Sequence, residues 1–234
     1  MGRTTDRGRG PRHSRTAPTP PDAPAEATRD RIVPPLARIG PAPGAFRPVT
    51  IDAMNRALIV IDVQESFRAH PLWGRISDPK IAEQVGRLVA LARAAGDLIV
   101  WVLHTEPGSA GAFDPESGHV RLLEELERPL PGEPVLHKTS HNAFTTTNLQ
   151  QLLTEAGVRE LRVCGIRTEQ CVETTTRVGS DLGYRMVFVT DATATHPIGD
   201  LGPAAIIERT EAVLRDRFAR IATVAELEAE AAGA

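Results

Sequence analysis

The chain has 234 residues, enough for one domain of ordinary size with a substantial hydrophobic core. Apolar residues make up 41% and charged residues 24%, a composition typical of globular, soluble proteins, and no apolar run approaches the roughly 20 residues of a membrane-spanning helix. The net charge of −3 gives no overall basic field for nucleic acid. With two cysteines and no apolar secretory stretch at its start, the chain is expected to be cytoplasmic, with no membrane or nucleic-acid partner.

Residues 1–50 differ in composition from the rest of the chain. They contain 10 of the 19 prolines, nine arginines and four acidic residues, so they carry a net charge of +5 and the remainder −8. A segment rich in Pro and Arg and poor in apolar residues cannot bury enough surface to offset the entropy lost on ordering. We therefore predict a disordered extension over 1–45 and a folded domain over 50–230. An arm that binds an acidic partner or nucleic acid is the alternative interpretation.

Short apolar runs alternate with helical patterns through the folded part. The runs are typical of strands buried on both faces, and they predict six strands, at residues 57–61, 97–103, 135–137, 161–166, 186–189 and 220–224. Helices are predicted between them, from Asp78–Pro79 to Gly96, over 149–156 and 171–182 with a glycine after each, and over 204–218. This order predicts an α/β fold of three layers, αβα, with a six-stranded parallel, doubly wound (Rossmann-like) sheet. Such sheets bind ligands beyond the carboxyl ends of their strands.

Three chemically distinctive residues follow predicted strands. Asp62 ends the first run, where a buried carboxylate needs a partner, and Lys138 ends the third, although only two of the 27 basic residues are lysines. Cys171 begins the helix after the fourth strand, where the helix dipole and a nearby ammonium would lower the pKa of its thiol, so we expect a reactive thiolate. Cys164, in mid-strand, is predicted to be a small buried hydrophobic residue. Singly, each of the three has an ordinary alternative: a loop aspartate, a chance lysine and a buried cysteine.

The segments around these residues carry a family resemblance. Residues 60–64, 138–140, 143–144, 164–172, 183–184 and 190–194, together with Leu149 and Leu152, resemble the isochorismatase-like hydrolases, also called the cysteine hydrolase superfamily. That family includes nicotinamidases, carbamoyl amidases and streptothricin hydrolases. The resemblance covers about residues 56–225, and 165–172 is its most specific segment.

The resemblance implies a mechanism and its residues. It implies a catalytic triad of Asp62, Lys138 and Cys171, a cis peptide bond between Ile166 and Arg167, and an oxyanion hole formed by the backbone N–H groups of Arg167 and Cys171. It also implies hydrolysis of a C–N bond (amide, carbamoyl or lactam) of a small molecule through a thioester, without a cofactor. Family members are commonly dimers or tetramers, so a homo-oligomer is expected. No Asp-x-His motif of the kind that holds a metal in nicotinamidases occurs between residues 63 and 138, so no metal is expected.

The substrate is less well specified by the sequence. Phe67, Trp73, His104 and Phe144 are candidate substrate contacts, and the loops over 65–78 and 104–118 are expected to set specificity. The preference for arginine over lysine is typical of a high-GC, actinomycete-like genome, which places an antibiotic lactam such as that of streptothricin among the candidates. Two alternatives stay open: hydrolysis of an isochorismate-type vinyl ether without the thiol, and a non-catalytic oligomeric scaffold with a basic tail. A cysteine at position 171 favours C–N cleavage, because true isochorismatases often carry a small residue there.

Overall fold

The structure is a computed structural model that describes residues 55–233. The predicted extension over 1–45 and the first residues of the predicted domain over 50–230 lie outside the described residues. Between residues 55 and 233, no helix has both the length and the apolar character needed to cross a membrane.

Six parallel strands form one sheet in the described part of the chain, which confirms the predicted fold class. They are β1 (Arg56–Ile61), β2 (Leu98–His104), β3 (Val135–Lys138), β4 (Glu160–Ile166), β5 (Arg185–Ala194) and β6 (Arg220–Ala222). Their spatial order is β3-β2-β1-β4-β5-β6, so the direction of winding reverses between β1 and β4. A reversal of this kind leaves a crevice at the carboxyl ends of the two central strands, where ligands bind in doubly wound sheets.

Helices cover both faces of the sheet. They are α1 (Glu65–Arg68), α2 (Ile81–Ala95), α3 (Leu149–Glu155), α4 (Glu173–Asp181), α5 (Pro203–Leu214) and α6 (Val224–Ala232). Alternate side chains of β1 point to opposite faces: Leu58 and Val60 share a core with α2 and α6, whereas Ala57, Ile59 and Ile61 share the other core with α3 and α5. Two cores on one sheet make the predicted three-layer αβα architecture.

Element boundaries differ from the predictions where local hydrogen bonds or backbone turns intervene. Helix α2 begins at Ile81 rather than at Pro79, because the Asp78 carboxylate accepts the Lys80 N–H (2.8 Å) and makes a separate turn. Residue 224, predicted as strand, begins α6 instead: the Thr223 side chain caps the helix in a capping box with Glu226. The Thr-x-x-Glu pattern at 223–226 is a recognised signal for the start of a helix, and the predicted strand over 220–224 did not take it into account.

Gly165 lets β4 approach the end of β1, directly before Asp62. Residues with a side chain rarely adopt a φ near its value of +129°. A Cβ atom at this position would also lie 1.9 Å from the carbonyl oxygen of Ile61. Because the clashing atom belongs to the backbone, a side chain here requires the two central strands to separate. The residue therefore controls the geometry of the sheet where the crevice opens.

Replacing Gly165 with alanine is expected to lower the free energy of unfolding by about 2 kcal/mol or more, because strain and a backbone clash add together. The matched control is Gly86→Ala in the middle of α2, where a Cβ atom meets nothing within 4 Å. That change should raise stability by about 1 kcal/mol, since alanine is the better helix former. Urea denaturation measures both, and equal effects of the two substitutions would contradict the packing described here.

Candidate active site

Asp62, Lys138 and Cys171 meet at the carboxyl ends of the strands. Asp62 follows β1, Lys138 is the last residue of β3, and Cys171 lies in a π-helical turn (Thr168–Val172) between β4 and α4. The Lys138 Nζ atom lies 2.8 Å from Asp62 Oδ2 and 3.4 Å from Cys171 Sγ. The side chains of Asp62 and Lys138 are completely buried, and Cys171 is only 7% exposed. The structure thus brings together three residues that are far apart in the sequence.

Backbone contacts hold the two charged side chains in place. Asp62 has a φ of +55°, uncommon for a residue with a side chain, and its N–H donates to the Val102 carbonyl oxygen (2.8 Å). The Lys138 carbonyl oxygen accepts both the backbone N–H (2.8 Å) and the hydroxyl (3.3 Å) of Thr105. Asp62 is therefore anchored to the neighbouring strand β2, and Lys138 to the residue that directly follows β2.

Burial governs the acid–base properties of the site. It raises the pKa of Asp62 above the ordinary value of 3.8, although the Lys138 ammonium works in the opposite direction. Burial together with the Asp62 carboxylate raises the pKa of Cys171 to about 12. The expectation of a thiolate at rest was therefore wrong, because desolvation of the sulfur outweighs the attraction of Lys138. Burial therefore favours the neutral thiol over the thiolate.

His104, at the end of β2, contacts the ion pair from the other side. Its Nδ1 lies 3.3 Å from Lys138 Nζ and its Nε2 lies 3.3 Å from a Glu106 carboxylate oxygen. Because an ammonium only donates, Nδ1 is the acceptor and Nε2 carries the proton. Burial and the positive charge of Lys138 both lower the pKa of His104, in agreement with a neutral ring. A contact with Lys138 was not predicted from the sequence.

Gln64 fixes the position of His104 and was also missed. It is completely buried; its side-chain oxygen accepts the His104 backbone N–H (2.7 Å), and its amide nitrogen donates to the His104 carbonyl oxygen (3.0 Å). These two bonds tie the ends of β1 and β2 together. The only signal for this role in the sequence is that Gln64 comes two residues after Asp62 at the end of a strand. That spacing does not identify His104 as its partner.

A cavity of about 200 Å³ opens onto Asp62 and Cys171. Of the four predicted substrate contacts, Phe67 and His104 line it, and both predicted specificity loops contribute further residues, among them His70, Glu106 and Phe113. The side chains of Arg167 and His196 also line the cavity and were not predicted.

Trp73 and Phe144 do not line this cavity, so the structure does not support their predicted contact with the substrate. Trp73 packs against the core and under the Arg68 guanidinium, which lies 5.6 Å from the centre of its ring. Phe144 is buried and stacks against Tyr184.

The turn before Cys171 contains two further features. The peptide bond between Ile166 and Arg167 is cis. The Arg167 backbone N–H donates to no acceptor among residues 55–233. Among the same residues, no cluster of three or more His, Cys, Asp or Glu side chains is arranged to hold a metal ion.

Comparisons with known proteins agree with the geometry. Residues 56–226 match the isochorismatase domain. A streptothricin hydrolase of Streptomyces noursei is 37% identical over 181 residues, which cover 74% of this chain and 68% of that protein. A ureidoacrylate amidohydrolase of Methylorubrum extorquens is 29% identical over 220 residues, which cover 80% and 87%.

Solved structures give the same result. The crystal structure of an isochorismatase from Pseudomonas putida KT2440 is 35% identical and superposes with a TM-score of 0.68 over 74% of this chain and 90% of that one. The resemblance found in the sequence is thereby confirmed. The chain belongs to the isochorismatase family of hydrolases.

Proposed function

We propose that this protein is a cysteine-dependent hydrolase that cleaves an amide, carbamoyl or lactam C–N bond of a small molecule through a thioester. The observation that carries the proposal is the position of Lys138 Nζ, 2.8 Å from Asp62 and 3.4 Å from the Cys171 sulfur, beside a cavity of about 200 Å³. The ammonium thus contacts both a carboxylate and a thiol, and a base, a nucleophile and a positive charge are the groups that acyl transfer needs. The names of two relatives, streptothricin hydrolase and ureidoacrylate amidohydrolase, support C–N cleavage.

In the proposed first step, Asp62 removes the proton of the Cys171 thiol as the sulfur attacks the substrate carbonyl carbon. A thiol with a pKa of about 12 is almost fully protonated at neutral pH, so proton transfer accompanies attack. Lys138 stabilises the negative charge that develops on the sulfur 3.4 Å away.

The tetrahedral intermediate forms as the carbonyl electron pair moves onto oxygen. The backbone N–H groups of Arg167 and Cys171 are proposed to donate to this oxyanion, each contributing roughly 3–4 kcal/mol to barrier lowering. The unused N–H of Arg167 supports this role. Asp62 then gives its proton to the departing nitrogen, the C–N bond breaks, and a thioester remains on Cys171.

Water completes the cycle. Asp62 takes a proton from water while the water oxygen attacks the thioester, and the sulfur leaves with the proton from Asp62. The net reaction converts an amide and water into a carboxylic acid and an amine.

Hydrolysis of a vinyl ether is the second candidate function. In that reaction a protonated Asp62 acts as the acid, and burial, which raises the pKa of Asp62, favours the protonated form.

Replacing Cys171 with alanine is expected to reduce release of ammonia or amine from an amide, urea and lactam panel by a factor on the order of a thousand, because the nucleophile is lost. The matched control is Cys164→Ala, which removes the other buried thiol, in mid-strand β4, and should keep turnover. Hydrolysis of isochorismate that survives in Cys171→Ala would point to the vinyl-ether reaction. Amide hydrolysis that survives in this variant would contradict the proposal.

Replacing Asp62 with asparagine is expected to make Cys171 easier to ionise and, at the same time, to abolish turnover. The carboxylate raises the pKa of the thiol, so its removal leaves Lys138 free to stabilise the thiolate. A pH titration of thiolate ultraviolet absorbance, in the Cys164→Ala background, measures the shift. A thiol pKa that stays the same or rises would show that Asp62 does not face the sulfur as described.

The acidic limb of the pH profile of kcat/KM is expected to lie above pH 3.8, since burial raises the pKa of Asp62 and the base must be deprotonated to act. Activity is therefore lost as the pH falls through this raised pKa. Lys138→Met removes the charge that opposes the shift, so the limb of its residual activity should move to higher pH. In His104→Gln the limb should persist; its disappearance would assign the titration to His104 instead.

A further inference from the structure

The charges around the active-site cavity are unevenly balanced. Within the described part of the chain, the two cations at the site are each paired with a carboxylate: Lys138 with Asp62 and Arg167 with Glu169, both at 2.8 Å. Glu106 is the remaining charged residue of the lining. With the histidines neutral, these five residues carry a formal net charge of −1.

The surroundings of two cavity histidines, His104 and His196, favour the neutral form of the ring. Burial and the positive charge of Lys138 lower the pKa of His104. Burial and the positive charge of Arg167 lower the pKa of His196. His70 stacks parallel to His196 with ring centres 5.6 Å apart and lowers the pKa of His196 in the same direction.

Glu106 is the carboxylate that an incoming molecule meets first. Its side chain is 53% exposed, and its partner is the neutral ring of His104, which donates from Nε2 (3.3 Å). No cation of the described chain forms an ion pair with it. A substrate group that projects from the cavity therefore encounters an uncompensated negative charge.

We propose that Glu106 makes this site selective for substrates that carry a positively charged group, such as an amine or a guanidine, beside the amide, carbamoyl or lactam bond. The inference rests on the function proposed above. An acidic substrate would meet two cations that are already paired and one carboxylate that is not, so the expected order of reactivity is cationic, then neutral, then anionic.

Alkylation of Cys171 tests the inference without a known substrate. Bromoethylamine, iodoacetamide and iodoacetate are cationic, neutral and anionic reagents for the same sulfur. Rates are measured at one pH in the Cys164→Ala background and divided by the rates for mercaptoethanol, which corrects for intrinsic reactivity. We expect the corrected rate for the cationic reagent to be about ten times the corrected rate for the anionic reagent, and we expect this ratio to fall as salt is added.

Two variants assign the effect to Glu106. Glu106→Gln keeps an acceptor for His104 Nε2 and removes the charge, so the ratio should fall severalfold. Glu116→Gln is the matched control, because Glu116 is an exposed acid in the same 104–118 loop that does not line the cavity. A corrected ratio at or below one, or a ratio that Glu106→Gln leaves unchanged, would overturn the inference.

A panel of amides that differ only in a terminal ammonium, hydroxyl or carboxylate separates the two proposals. Cys171-dependent turnover that falls from the ammonium to the carboxylate substrate supports both. Cys171-dependent turnover in the reverse order, or without order, keeps the proposed hydrolase function and overturns the charge selectivity. Charge-ordered alkylation with turnover that is independent of Cys171 supports the selectivity of the site and overturns the proposed mechanism.

Discussion

The buried ion pair of Asp62 and Lys138 is the interaction on which the rest of the site depends. Both side chains are completely buried, and an isolated charge in such a place costs several kcal/mol, so each requires the other at short range. The surrounding chain fixes the distance between Asp62 and Lys138. Gly165 permits the close approach of β4 to β1, and Thr105 anchors the Lys138 carbonyl oxygen. A sheet that shifted here would leave two unpaired charges in its interior.

The same burial determines the chemistry that the site can perform. Desolvation raises the pKa of both Asp62 and Cys171, which yields a neutral thiol facing a carboxylate rather than a preformed thiolate. In such a pair, the proton moves from the thiol to the carboxylate only as the sulfur attacks an electrophile. Lys138 lies within reach of both partners, and it can stabilise negative charge on whichever of them carries it. Neutral His104 completes the arrangement without adding charge.

Sequence reasoning predicted the sheet well because strands buried on both faces leave uninterrupted apolar runs, and it predicted Asp62, Lys138 and Cys171 because parallel strands end at one edge. The predicted lowering of the Cys171 pKa was wrong. A sequence shows that the residue lies at the start of a helix, but it does not show how deeply packing buries the sulfur. The bonds from Gln64 to His104 link residues 40 positions apart and leave no periodic signal. The cavity-lining side chains of Arg167 and His196 were missed for the same reason.

A double-mutant cycle on the ion pair tests the central claim most directly. Free energies of unfolding are compared for Asp62→Asn, Lys138→Met and the double variant. Each single change leaves one buried charge without its partner and should cost roughly 3–5 kcal/mol, whereas the double variant removes both charges and should cost less than either. A double variant whose loss equals the sum of the two single losses would contradict the account.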